Sequence, residues 1–263
     1  MLHKTKVILT TITALLVTFV AGSAVLGFMS QPSAPTDDTD LLMQKAKYEG
    51  QILKRMAYTL SYNKDTRLPI WVAWTLTKDH TYGPHKRNGL HFEEDTDVPK
   101  PRATYFDYMQ SGYSRGHMCP SGDNKWSQQA QQESFLYTNC CPQLYSLNAG
   151  DWNDLEMKCR TWARSYGKIH IVCGPVLFNK QHRTIGKNKV VVPEAFFKVV
   201  LCLTGTPKAI GFIYRNEETK KPIKSYVNSI DEVERITGID FFPSLPDDVE
   251  NRVEATANLD DWK

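Results

Sequence analysis

From Pro69 to Thr77 the chain runs PIWVAWTLT, bulky apolar and aromatic residues in partial alternation with smaller ones, a pattern that predicts a β-strand. Three further stretches share it: KIHIVCGPVL from Lys168, VVVPEAFFKVVLCLTG from Val190 and KAIGFIYR from Lys208. Beyond Ala149 the period changes. Trp152, Leu155, Cys159, Trp162 and Tyr166 recur at steps of three and four, which is one face of a helix, and Gly167 stands where a helix C-terminus takes glycine. Ser229 followed three residues later by Glu232 is a capping box that opens a second helix, with Gly238 at its end. Strands and helices alternate without a regular βαβ order, so the pattern predicts an α+β fold, a mixed β-sheet core with flanking helices.

The N-terminus departs from this pattern. In residues 1–30, His3, Lys4 and Lys6 precede an uncharged apolar run from Val7 to Phe28. The run exceeds the roughly 7–15 residues of a signal-peptide core and reaches the roughly 20 of a spanning helix, so it reads as a signal peptide or a membrane anchor. The small residues from Ala21 to Ala24 keep cleavage open. Either way the expectation is export, with the bulk of the chain periplasmic, extracellular or membrane-anchored outside the cytoplasm. Residues 31–44, which begin QPSAPTDDTD, are rich in Pro, Ser and Asp and read as a linker. No repeat or second linker interrupts residues 45–263, so they form a single domain.

Composition narrows the function classes only a little. The 263 residues are 41% hydrophobic and 23% charged, ordinary globular values that exclude a disordered or fibrous chain. A formal net charge of +3 is compatible with an anionic substrate without demanding one. The six cysteines form no CxxC pair and no Cys/His spacing of a zinc finger, which argues against a structural zinc site. In an exported chain they could pair, in a connectivity the sequence does not reveal.

Two stretches carry candidate chemistry. YSRGHMCPSGDNKW, from Tyr113 to Trp126, contains Arg115, Gly116 and His117; TNCCPQLYSLNAGDWNDLEMKCR follows from Thr138 to Arg160. Singly, each has a bland explanation. His117 can be a loop histidine, Asn148 a turn residue, and Glu156 with Arg160 an i,i+4 surface ion pair worth a few tenths of a kcal/mol. His80, His85 and His91 match no helical metal-binding pair and read as surface or loop residues.

Together and in this order, the two stretches resemble the paired signature of the DNA/RNA non-specific endonuclease family of ββα-metal nucleases. That signature is Asp-Arg-Gly-His followed by Asn-x-x-Pro-Gln-x-x-x-x-Asn-x-Gly-x-Trp-x-x-Leu-Glu-x-x-x-Arg. The chain supplies Arg115, Gly116 and His117, then Asn139, Pro142, Gln143, Asn148, Gly150, Trp152, Leu155, Glu156 and Arg160. WVAWTLT resembles the family's early strand and ITGIDFFPSLPDD its C-terminal helix and turn.

The resemblance implies a ββα-metal catalytic motif and metal-dependent, sequence-non-specific hydrolysis of phosphodiester bonds in DNA and RNA. It implies His117 as general base, Asn148 as the direct ligand of Mg²⁺ or of Mn²⁺ in its place, and Glu156 holding the metal's waters. Arg87 is the candidate phosphate clamp or a surface cation. Arg160 approaches the same phosphate from the helix, and Arg115 serves the substrate or supports the loop. Asn139 and Gln143 complete the substrate side, and a homodimer is open. One position departs: Ser114 stands where the family usually has Asp, which opens a second reading, an exported nucleic-acid-binding or uptake protein with a low-activity nuclease fold. No base-reading motif occurs, so recognition would rest on the phosphate backbone.

Overall fold

A run of bulky residues without strict alternation belongs in a strand covered on both faces, and the central strands are so placed. The structure, a computed structural model, describes residues 38–218 and 220–263; the apolar run at the N-terminus lies outside them. Seven strands form the central sheet: β1 Gln51–Lys54, β2 Thr59–Asn63, β3 Leu68–Thr77, β6 Lys168–Val176, β7 Ala195–Cys202, β8 Lys208–Arg215 and β9 Val227–Asn228. Between β3 and β6 in sequence lies a separate two-stranded ribbon, β4 Ser114–His117 and β5 Cys140–Gln143. The order in the central sheet is β9-β8-β7-β6-β3-β2-β1, and every pairing is antiparallel. The class is α+β.

Four helices bear on the argument: α1 Tyr145–Ala149, α2 Asp151–Tyr166, α3 Ile230–Thr237 and α4 Asp247–Glu254. The side-chain alternation of the strands divides the core into two layers. On one face Val72, Trp74 and Leu76 of β3 and Phe196 and Val200 of β7 pack with Trp152, Leu155, Cys159 and Trp162 of α2. On the other, Trp71, Ala73, Phe197, Val199 and Leu201 pack with Ile230 and Val233 of α3 and Val253 of α4.

The predicted helix face is the buried face of α2, and Gly167 caps it at φ 83°. Half of the predicted capping box forms at α3: the Ser229 hydroxyl accepts from the Glu232 N–H, while the Glu232 carboxylate turns to Arg235 instead of back to Ser229, and Gly238 ends the helix in the left-handed conformation. Packing begins earlier than the predicted boundary at residue 45. Leu41 is fully buried, and the Gln44 amide oxygen accepts from Phe242 N–H at 2.8 Å, so the end of the supposed linker is part of the folded unit. All six cysteines are buried and free.

Candidate active site

Every sequence-predicted site residue lies in the excursion between two neighbouring strands, β3 and β6, whose ends are closed by a backbone hydrogen bond from Lys78 N–H to the Gly167 carbonyl at 2.7 Å. Within it β4 and β5 form an antiparallel ribbon, with Gly116 opposite Cys141 and His117 opposite Cys140. Glycine is required at position 116, because a Cβ there would lie 2.8 Å from Gln143 Cβ and closer still to its amide oxygen. After β5 the chain enters α1, then bends sharply at Gly150 into α2. A Cβ at Gly150 would stand 2.5 Å from the Ser146 carbonyl oxygen, so the bend that separates Asn148 from Glu156 needs glycine.

Ribbon and helices meet across an open cleft of about 630 Å³ lined by Arg87, Arg115, His117, Asn148, Glu156 and Arg160. Lys86 and Lys125 also line it, giving five cations against one carboxylate. The sequence reading thus names six residues that share one cleft.

The His117 ring is held between Phe92 and Phe135, with ring centroids 4.7 and 4.9 Å away, and its Nε2 is buried with no hydrogen-bond partner. Burial, reinforced by the Arg87 charge, pushes its pKa down to about 3, so the imidazole is neutral and able to accept a proton. Arg87 itself rests on the Phe135 ring at 5.4 Å. Arg115 donates to Tyr137 Oη at 3.1 Å and lies over the rings of Tyr105 and Tyr108, which fixes it while it still faces the cleft. Ser114 borders an adjoining depression with Arg87, Arg115 and Tyr105.

On the helix side, Glu156 is pushed up to about 7 by burial, against the opposing charges of Lys198 and Arg160. Arg160 donates to Asp123 Oδ1 at 2.9 Å, and Trp74 Nε1 donates to Asp123 Oδ2 at 3.2 Å. Burial lifts the Asp123 carboxyl above its ordinary range in spite of Arg160. Beneath them Lys198 is almost wholly buried, 4.4 Å from the Trp152 ring centroid and 5.4 Å from that of Trp74. Burial works against its charge, yet Cys173, Glu156, Cys159 and Asp123 hold its pKa above normal. Asp123, Lys198 and Trp74 are neighbours of the cleft residues that the sequence reading missed.

Two predicted substrate residues are corrected. Asn139 is fully buried; its Oδ1 accepts from Cys119 N–H and its Nδ2 donates to the carbonyls of Cys119 and Ser134, so it staples the loop between β4 and β5. Gln143 is also fully buried, under Gly116. Neither lines the cleft.

Asn148 and Glu156 offer a carboxamide and a carboxylate to the same cleft, hard oxygen donors that suit a hydrated Mg²⁺ or Mn²⁺. A divalent cation would add to the Lys198 and Arg160 charges that already favour the ionised form of Glu156, so this donor set fits such an ion.

A two-stranded ribbon followed by a helix, carrying an imidazole opposite oxygen donors, defines the class of ββα-metal nucleases. The model of the DNA/RNA non-specific endonuclease family matches residues 39–248, and the chain belongs to that family. Similar curated proteins include the mitochondrial nuclease EXOG of Xenopus laevis, 35% identical over 207 residues, covering 73% of this chain and 58% of that protein. Mitochondrial endonuclease G of Bos taurus is 30% identical over 239 residues, covering 85% and 80%. The crystal structure of the EndoG/EndoGI complex aligns with a TM-score of 0.72 at 26% identity, covering 76% of this chain and 88% of that one.

These relatives overturn the expectation of export, since they are mitochondrial nucleases. An apolar run favours a bilayer over water but does not specify which bilayer, so the N-terminal pattern could not carry that conclusion. No helix among the described residues is long and apolar enough to cross a membrane.

Proposed function

We propose that this chain cleaves phosphodiester bonds of DNA and RNA without sequence preference, using His117 as the base. The observation that carries the reading is a neutral, unpartnered imidazole in a cleft shared with Asn148 and Glu156 and lined by five cations. The cations Arg87, Arg115 and Arg160 seat the phosphate, and the first two, stacked on aromatic rings, hold it without rearranging. The His117 imidazole takes the proton of the attacking water. The phosphodiester charge beside Arg87 offsets the cation that depresses the imidazole, so the base strengthens when substrate arrives. Asn148 would hold the divalent cation directly and Glu156 its waters, and when bound the ion supplies positive charge to the phosphate and the leaving oxygen. Recognition through phosphates alone makes binding weaken as salt rises.

The test is digestion of plasmid DNA and RNA by the full chain with Mg²⁺ or with EDTA. Cleavage is expected with Mg²⁺ and absent with EDTA, and His117→Ala is expected to abolish it while DNA retardation on a gel persists. Cleavage by His117→Ala at the parent rate would overturn the mechanism; retardation without cleavage by the parent would make this a binding protein on a nuclease fold.

A further inference from the structure

On the sheet face away from the cleft, α3 and α4 bring three carboxylates together without a cation between them. Asp231 and Glu234 are three residues apart and share one face of α3, and Glu254 closes α4. One ligand oxygen of each lies within 4.8 Å of the other two. Glu254 is 8% exposed, and its Oε1 is buried with no hydrogen-bond partner. Glu234 accepts from Phe241 N–H at 2.7 Å. The nearby cations are engaged elsewhere: Arg235 makes two hydrogen bonds to Glu232, and Lys45 reaches Asp240 at 3.8 Å.

A buried carboxylate oxygen without a donor is costly to leave unmatched. Either a proton or a cation must supply the missing positive charge. Oxygens bound to Ca²⁺ at about 2.3–2.6 Å stand at most about 5 Å apart, so three carboxylate oxygens within 4.8 Å of one another fall inside its coordination shell, and the flexible geometry of Ca²⁺ suits a site made of side-chain carboxylates and water. We propose that Asp231, Glu234 and Glu254 form a Ca²⁺-binding site that clamps α3 to α4, separate from the catalytic cleft. In its metal-free state burial, followed by repulsion from Glu234, Glu250 and Asp231, pushes Glu254 up to about 8. Burial likewise raises Glu234 to about 7, so protons occupy the cluster when the ion does not.

The test uses the full chain carrying Asn148→Ala, which removes the proposed cleft ligand, after chelation and at pH 7.5. Calorimetric titration with CaCl₂ is expected to show one equivalent bound, and Tm is expected to rise by about 5 °C or more at a hundredfold excess over Kd. Glu254→Gln in the same background is expected to remove both effects. Asp231→Asn, on the exposed side of α3, is expected to weaken Ca²⁺ at least tenfold and serves should Glu254→Gln fail to fold. No Ca²⁺ heat in the Asn148→Ala chain, or unchanged Ca²⁺ affinity in the second-site variants, would overturn the site.

Discussion

Replacing Asp123 by Ala tests whether the helix side of the cleft is held by balanced charge. Asp123 is 3% exposed and accepts from both Arg160 and Trp74. Around it the Asp123 and Glu156 carboxyls face the Arg160 and Lys198 cations, and Asp123 is the one that hydrogen-bonds Arg160 directly. Removing one carboxylate leaves a buried cation unmatched, a loss of about 3–5 kcal/mol. For a folded unit of this size each kcal/mol moves Tm by about 2–4 °C, so Asp123→Ala is predicted to lower Tm by roughly 6–20 °C. The double variant Asp123→Ala/Arg160→Met removes both ends of the pair and is predicted to recover much of that loss, a coupling of at least about 1 kcal/mol. Differential scanning calorimetry of the four proteins at pH 7, with cleavage measured alongside, reads both effects. A Tm for Asp123→Ala within about 2 °C of the parent, or strict additivity in the double variant, would refute the reasoning.

Three other outcomes are expected. Because the folded-state pKa of Glu156 is raised to about 7 from 4.5, the folded protein binds the extra proton and this contribution to stability is lost as pH rises from 4.5 to 7. Glu156→Gln cannot ionise, so its Tm should gain on the parent's across that window; a constant difference in metal-free buffer would disprove the assignment. Lys198→Met withdraws a charge that lowers the Glu156 pKa and should move the acidic limb of the cleavage–pH profile upward, and an unmoved profile would separate Lys198 from the site. Gly116→Ala must displace the fully buried Gln143 and should cost about 1–3 kcal/mol together with most of the cleavage rate, measured by denaturant melts and plasmid nicking; parent-like values in both would show that the ribbon has slack.

What the sequence revealed, and what it hid, follows from the range of each interaction. The face of α2 and the caps of α3 were legible because helix periodicity and capping act over three or four residues. The membership of His117, Asn148 and Glu156 in one site was legible only through the spacing of the family signature, since ribbon and helices join by tertiary contact. Asp123 lay in the stretch that held His117, but its partner Arg160 is 37 positions away and no local rule links them. Lys198 had a readable signal: strand alternation places it on the face of Phe196 and Val200, so a lysine there had to be buried. Asn139 and Gln143 matched the motif as well as Asn148 did, and only the fold distinguishes a residue that holds the ribbon together from one that faces the cleft.

The six interior thiols give the molecule its own stopwatch. Burial pushes Cys140, Cys159 and Cys173 up to about 12, so almost no thiolate exists at neutral pH, and no alkylating reagent reaches the sulfur while the fold is closed. Labelling by iodoacetamide therefore counts opening events, and because the cysteines span the ribbon, α2 and the central sheet, the order in which they label traces the order in which those parts come undone.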